Sequence, residues 1–248
     1  MVQHRAWRAG LLLAGVLLGG CAQQRGLRDA PSLGVADGAL ASGAPEFSLE
    51  IAQSMISRDP GNADAWVHQG DAYAALGNPF QAEGSYKRAL TLAHASAKAQ
   101  MGLGRLALRN NPSEAVGWFN QVLASHPQDP AALNDLGVAL DLLGQHMAAQ
   151  PAYRKALAVQ PDLSAAQVNL GLSLAVSGRA REGAALIRPL AEGPSATPRT
   201  REDLATALLL SGDEHAARSV LGQDVPASRL NDTIRALRQL QAVQPGAS

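Results

Sequence analysis

Residues 133–161 read LNDLGVALDLLGQHMAAQPAYRKALAVQP. Leu133, Leu136 and Leu140 recur at the three- and four-residue spacing of one helix face. Gly144 interrupts the pattern, a second run carries Ala149, Tyr153 and Ala156, and Pro161 closes it. The stretch therefore reads as two helices joined by a glycine turn, and the chain copies it. Gly70, Gly104, Gly137, Gly171 and Ala205 are separated by 34, 33, 34 and 34 residues. Ala82, Ala115, Ala149, Gly183 and Ala217 keep the same register, as do Tyr86, Phe119, Tyr153, Ile187 and Leu221. No single hairpin can bury its own apolar face, so stacking of the copies must supply the core.

The residue types fit that packing. Small residues such as Gly137 and Ala149 let paired helices approach, and Leu136, Leu140 and Tyr153 fill the space between hairpins. Gly77, Gly144, Gly178 and Gly212 fall at the turns, and Pro127 and Pro161 stop second helices. The period, together with Trp66, Gly70, Tyr73, Ala82, Tyr86 and Ala89 in WVHQGDAYAALGNPFQAEGSYKRAL, resembles the tetratricopeptide repeat. The resemblance implies an all-α fold: a right-handed superhelical solenoid of about five helical hairpins with capping helices, over residues 46–243. FSLEIAQSMISRDP resembles a half repeat at the start. ASRLNDTIRALRQLQAV supplies a last helix with Leu230, Ile234, Leu237 and Leu240 on one side. Two departures stand out. The turn around Asn110 to Pro112 is one residue short, and Pro189 inside a second helix, followed by EGPSATPRT, predicts a bend or loosening there. Residues 244–248 are expected to be a disordered tail.

The start of the chain has a different character. His4, Arg5 and Arg8 precede AGLLLAGVLLGG, twelve uncharged residues from Ala9 to Gly20. Spanning a bilayer core takes about 20 apolar residues, so this run has the proportions of an export signal. The flanking arginines and the missing polar face argue against a buried helix. Leu18-Gly19-Gly20-Cys21 resembles the bacterial lipoprotein box and places the only cysteine at its end. That resemblance implies a signal peptide over residues 1–20, a covalent diacylglycerol and an N-acyl lipid on Cys21, and no other cofactor. An ordinary secretory signal with a leftover thiol is the competing reading. Ala22 follows Cys21 where an aspartate would resemble an inner-membrane retention signal, which points to the periplasmic face of the outer membrane. Residues 21–45, rich in Gly, Ala, Ser and Pro, are expected to form a flexible tether reaching about 25–30 Å.

Composition narrows the chemistry. Lys+Arg and Asp+Glu both number 21, so nothing in the balance directs the chain to nucleic acid. A single cysteine excludes an intramolecular disulfide and a multi-cysteine zinc site. The six histidines show no HExxH or metal-ligand spacing, and no GxSxG, phosphate loop or dinucleotide fingerprint occurs. Neither an enzyme nor a small-molecule site is expected. In tetratricopeptide proteins the first helices line a groove, and the position two before the small residue commonly meets the ligand. That position holds His68, Gly102, Asp135, Asn169 and Asp203, with Arg105, Asn134 and Asp141 nearby. His68, Arg105, Asn134, Asp135, Asp141, Asn169 and Asp203 are the candidate partner-binding residues.

NDLGVALDLLGQHMAAQPAYRKAL, NLGLSLAVSGRAREGAALIRPLA and REDLATALLLSGDEHAAR, with the lipobox and the Gly/Ala/Pro segment, resemble the lipoproteins of the tight-adherence (Flp) pilus assembly system. The resemblance covers most of residues 60–220. It implies a scaffold for pilus assembly whose protein partner is a secretin or another assembly component, with membrane attachment through lipid and no nucleic-acid partner. Two alternatives stay open. One is a pilotin of another type IV pilus or type II secretion system. The other is an envelope scaffold recruiting peptidoglycan hydrolases or outer-membrane assembly factors.

Overall fold

The computed structural model describes residues 32–242. The signal segment, Cys21 and the tail at 244–248 lie outside the described residues. Thirteen α-helices and no strand occur within them. α1 (Leu33–Ala41) and α2 (Pro45–Arg58) pair, as do α3 (Ala63–Ala75) with α4 (Pro79–Leu92) and α5 (Ala97–Ala107) with α6 (Pro112–Ser125). α7 (Pro130–Leu142) pairs with α8 (His146–Val159), α9 (Ser164–Leu174) with α10 (Ala180–Glu192), and α11 (Pro198–Leu210) with α12 (Glu214–Leu221). α13 (Ala227–Ala242) closes the stack, with Ile234 buried against the last two helices and Leu230 and Leu237 partly buried beside it. Each hairpin packs on the next, giving the all-α tetratricopeptide solenoid.

The three repeat columns are its packing. Tyr86, Phe119, Tyr153, Ile187 and Leu221 are each at most 2% exposed. The small column is small because those side chains occupy the space: a Cβ on Gly137 would stand 2.5 Å from the Tyr153 ring, and one on Gly104 2.5 Å from Phe119. Side-chain caps start the helices where the sequence offers them, as Asn62 accepts from the Ala65 N–H and Asp129 from Ala131 and Ala132. Proline at the first turn of α2, α4, α6, α7 and α11 costs nothing, since its missing N–H has no helical partner there.

The first hairpin corrects the expected boundaries. Residues 33–41 are helix, not tether, and the solenoid begins at residue 33, not 46. The columns run one unit further than the aromatic pattern discloses. Ala36, Ser48 and Ala52 stand 34 residues before Gly70, Ala82 and Tyr86, and all three are fully buried. Gly43, at φ 76°, turns this hairpin as Gly77 (φ 74°) turns the next. The stack thus has six hairpins, and the half repeat is the second helix of a whole one.

The two departures resolve differently. Among the hairpin turns, that between α5 and α6 has no positive-φ glycine; Asn111 instead caps α6 by accepting from the Glu114 N–H. At Pro189 the expected loosening does not occur. α10 runs through Pro189 to Glu192, and Ile187, Ala191, Leu204 and Leu208 share one core across α10 and α11. The hydrophobic contact on both sides of the proline offsets the hydrogen bond it removes.

Candidate functional site

First helices sit side by side, so polar residues around the small column meet across helix boundaries. Arg105 Nε on α5 donates to Asp135 Oδ2 on α7 at 2.7 Å. Asn134 Nδ2 donates to the other Asp135 oxygen at 3.1 Å, and Asn169 Nδ2 on α9 donates to Asn134 Oδ1 at 3.0 Å. Four of the seven candidate residues thus form one hydrogen-bonded ladder over three hairpins.

Asp141, at the end of α7, is a second hub. Its Oδ1 takes His146 Nδ1 at 2.9 Å and the Ser173 hydroxyl at 2.8 Å, and its Oδ2 takes the Tyr153 hydroxyl at 2.8 Å. Burial first, then the Asp141 charge, hold the Tyr153 hydroxyl well above its ordinary range, which keeps it a donor. Ser173, His146 and Asp141 do not make a nucleophile triad, because the hydroxyl and the imidazole both turn to the carboxylate. Around the hub, Val138, Leu142, Leu172 and Val176 join Asn169 in lining a cavity of about 190 Å³. Met147, 70% exposed, and Val176 line a further cleft of about 560 Å³ at the turns of the same two hairpins.

The remaining candidates stand apart. Asp203 on α11 is 9% exposed, 3.5 Å from Arg199, and its carboxyl is raised by burial. His68 on α3 is 3% exposed beside Asp37 of α1. Gly102, in the same column, is filled by its neighbour: a Cβ there would stand 2.4 Å from the Tyr86 ring. The expected row of ligand-facing polar groups is therefore partly a row of buried, mutually satisfied ones. Asn134 is 8% exposed and the Asn169 amide is already committed to it, whereas Arg105 is 56% exposed at its side chain. The sequence reading missed Ser173, His146 and the apolar rim. Leu142 and Val176, 34 residues apart and apolar at exposed helix ends, are the signal that marks the rim.

Asp71 on α3 accepts the Tyr86 hydroxyl at 2.6 Å. Burial raises its carboxyl above the ordinary 3.8, against the lowering effect of that hydrogen bond. The folded state holds this proton more tightly than the unfolded chain. The group's contribution is therefore greatest below pH 3.8 and is lost as pH rises through the raised folded value. Asp71→Asn keeps an oxygen for Tyr86 and removes the charge. Thermal melts at pH 7 are expected to show equal or higher stability than the parent; a fall of several degrees would contradict the burial argument.

Residues 36–93 and 69–130 match one tetratricopeptide-repeat model, and residues 118–150 match another. The chain is a tetratricopeptide-repeat protein, the class that its columns and hairpins define. It is 39% identical over 77 residues to the uncharacterized protein y4yS of Sinorhizobium fredii, and 27% identical over 146 residues to human tetratricopeptide repeat protein 7B. The chain spans 42% and 17% of the length of these relatives. Among solved structures, PilW, described as a widely conserved type IV pilus biogenesis factor, superposes with a TM-score of 0.71 at 19% identity, over 82% of this chain and 96% of PilW. Pseudomonas aeruginosa pilF gives 0.68 at 16% identity, over 82% and 95%. At these identities the likeness is one of fold.

Proposed function

We propose that this chain is a lipid-anchored scaffold of the outer membrane, facing the periplasm, that assists assembly of a tight-adherence (Flp) pilus by helping its secretin reach or form in that membrane. The observation that carries the reading is the joining of Leu18-Gly19-Gly20-Cys21 to a solenoid of the size and shape of PilW and pilF. A diacylglycerol and an N-acyl chain on Cys21 would hold the protein in the membrane, since each buried methylene contributes about 0.8 kcal/mol and three chains far exceed a marginal single one. Arg105 and the apolar rim of Leu142, Met147 and Val176, held in place by the ladder and the hub at Asp141, form the face offered to a partner. The pilus proteins among the fold neighbours also favour a second reading, a pilotin of another type IV pilus system.

The test is the amount of heat-resistant secretin multimer in outer membranes of cells with and without this protein. Multimer is expected to be lost in its absence, restored by the parent chain, and not restored by Cys21→Ser, which should fractionate away from the outer membrane. Unchanged multimer would remove the secretin role, and unchanged fractionation of Cys21→Ser would remove the lipid.

A further inference from the structure

Three buried side-chain polar atoms have no hydrogen-bond partner among the described residues: Ser48 Oγ, His68 Nδ1 and His68 Nε2. All belong to the junction where α1 rests on α2 and α3. His68 Nδ1 lies 3.3 Å from Asp37 Oδ1 of α1, close enough for an ion pair if charged but not aligned as a hydrogen bond. Ser48 stands in the column that faces the small residue of its own first helix. At the same place in the fifth hairpin, a Cβ on Gly183 would stand 2.1 Å from the Gly171 oxygen. Four of the other five hairpins carry alanine in this column, so the first alone closes over a hydroxyl. A buried polar group without a partner carries its full desolvation cost, and water would satisfy all three atoms if α1 lifted.

Little opposes that lifting. α1 has nine residues, two of them glycine, and buries only Ala36 and Ala39. Nine residues are too few for a stable isolated helix, and glycine weakens a helix relative to alanine. Every other first helix that begins a hairpin buries larger side chains, such as Val67 in α3 and Leu133 in α7.

We infer that α1 is a releasable strap, which opens as a unit while α3 to α12 stay folded and uncovers Ser48 and His68 as a polar surface on α2 and α3. The opening itself does not depend on the lipid anchor. If the anchor is present, as proposed above, α1 is the first element after it among the described residues. Converting nine residues from about 1.5 to about 3.4 Å each would then lengthen the reach from the membrane by roughly 17 Å.

Amide hydrogen exchange on the full chain tests this with one small substitution. In the parent, amides of residues 36–41 are expected to be protected at least a hundredfold less than those of α3 and α7. Ser48→Ala, which gives the first hairpin the alanine its neighbours carry, should raise protection in α1 about tenfold and leave α5 to α12 unchanged. Protection in α1 equal to that of α3, or no response to Ser48→Ala, would overturn the strap. Cys21→Ser should leave the exchange pattern as it is, so loss of the pilus role and loss of the strap are separate results.

Discussion

Gly183→Ala is expected to be among the most destabilising single-methyl additions in the solenoid. The new Cβ would stand 2.1 Å from the Gly171 carbonyl oxygen, 3.1 Å from its carbon and 3.2 Å from the Ala175 nitrogen. All three are backbone atoms, so no side chain can rotate away, and α9 and α10 must separate. Overpacking usually costs about 1–3 kcal/mol, and a rigid clash belongs at or above the top of that range. At about 2–4 °C per kcal/mol for a domain of this size, the melting temperature should fall by roughly 6–12 °C. Gly117→Ala is the matched control. It lies exposed inside α6 with nothing within 4 Å of the added carbon, so better helix propensity should stabilise by up to about 1 kcal/mol. Equal melting temperatures for the two variants would show that α9 and α10 are not packed backbone to backbone.

Asp141→Ala carries the second large effect. One carboxylate takes donors from His146, Tyr153 and Ser173, and so ties α7, α8 and α9 together. Ser173 is 2% exposed and Tyr153 1%, so their hydroxyls cannot turn to bulk water. A hydrogen bond to a charged group contributes about 1.5–3 kcal/mol, and neighbouring losses do not add in full, so about 3–5 kcal/mol is expected. Asp141→Asn offers one acceptor oxygen where the hub needs two and should fall between the parent and alanine. Urea midpoints for the three chains check the order. Asp141→Ala with the parent's midpoint would reduce the hub to an incidental contact.

Hairpins α3 to α12 were legible because their signal is a repeated sterically forced pair, glycine or alanine against a bulky ring or branched chain. The first hairpin was not, because it keeps only the small half of that signal. Ala36, Ser48 and Ala52 hold the register, but Ala52 stands where Tyr86 and Tyr153 do. Its first helix, LGVADGALA, has the composition of a tether. The polar face was half legible. The column of His68, Asp135, Asn169 and Asp203 is real, but its pairings do not follow the period. Arg105 reaches 30 residues ahead to Asp135, Asn169 reaches 35 back to Asn134, and Ser173 reaches 32 back to Asp141. Such offsets depend on how one first helix is shifted along the next, which a single repeat does not contain. Exposure is equally non-local: Asn134 is buried because α9 brings Asn169 onto it.

The ring of Tyr86 lies between Gly70 and Gly102, and a Cβ on either would come within 2.5 Å of it. Tyr153 has the same place two hairpins later, yet where Gly102 faces Tyr86 the corresponding residue is Asn169. The modules of this array are consequently not interchangeable. A duplication or shuffling event that set the α3–α4 hairpin directly before α7 would press the Tyr86 ring against Asp135, and the ring would have to leave Asp71 to make room, as Tyr153 bonds Asp141 instead before Asn169. The order of the hairpins is written into each junction, so the array can grow or shrink at some seams and is locked at others.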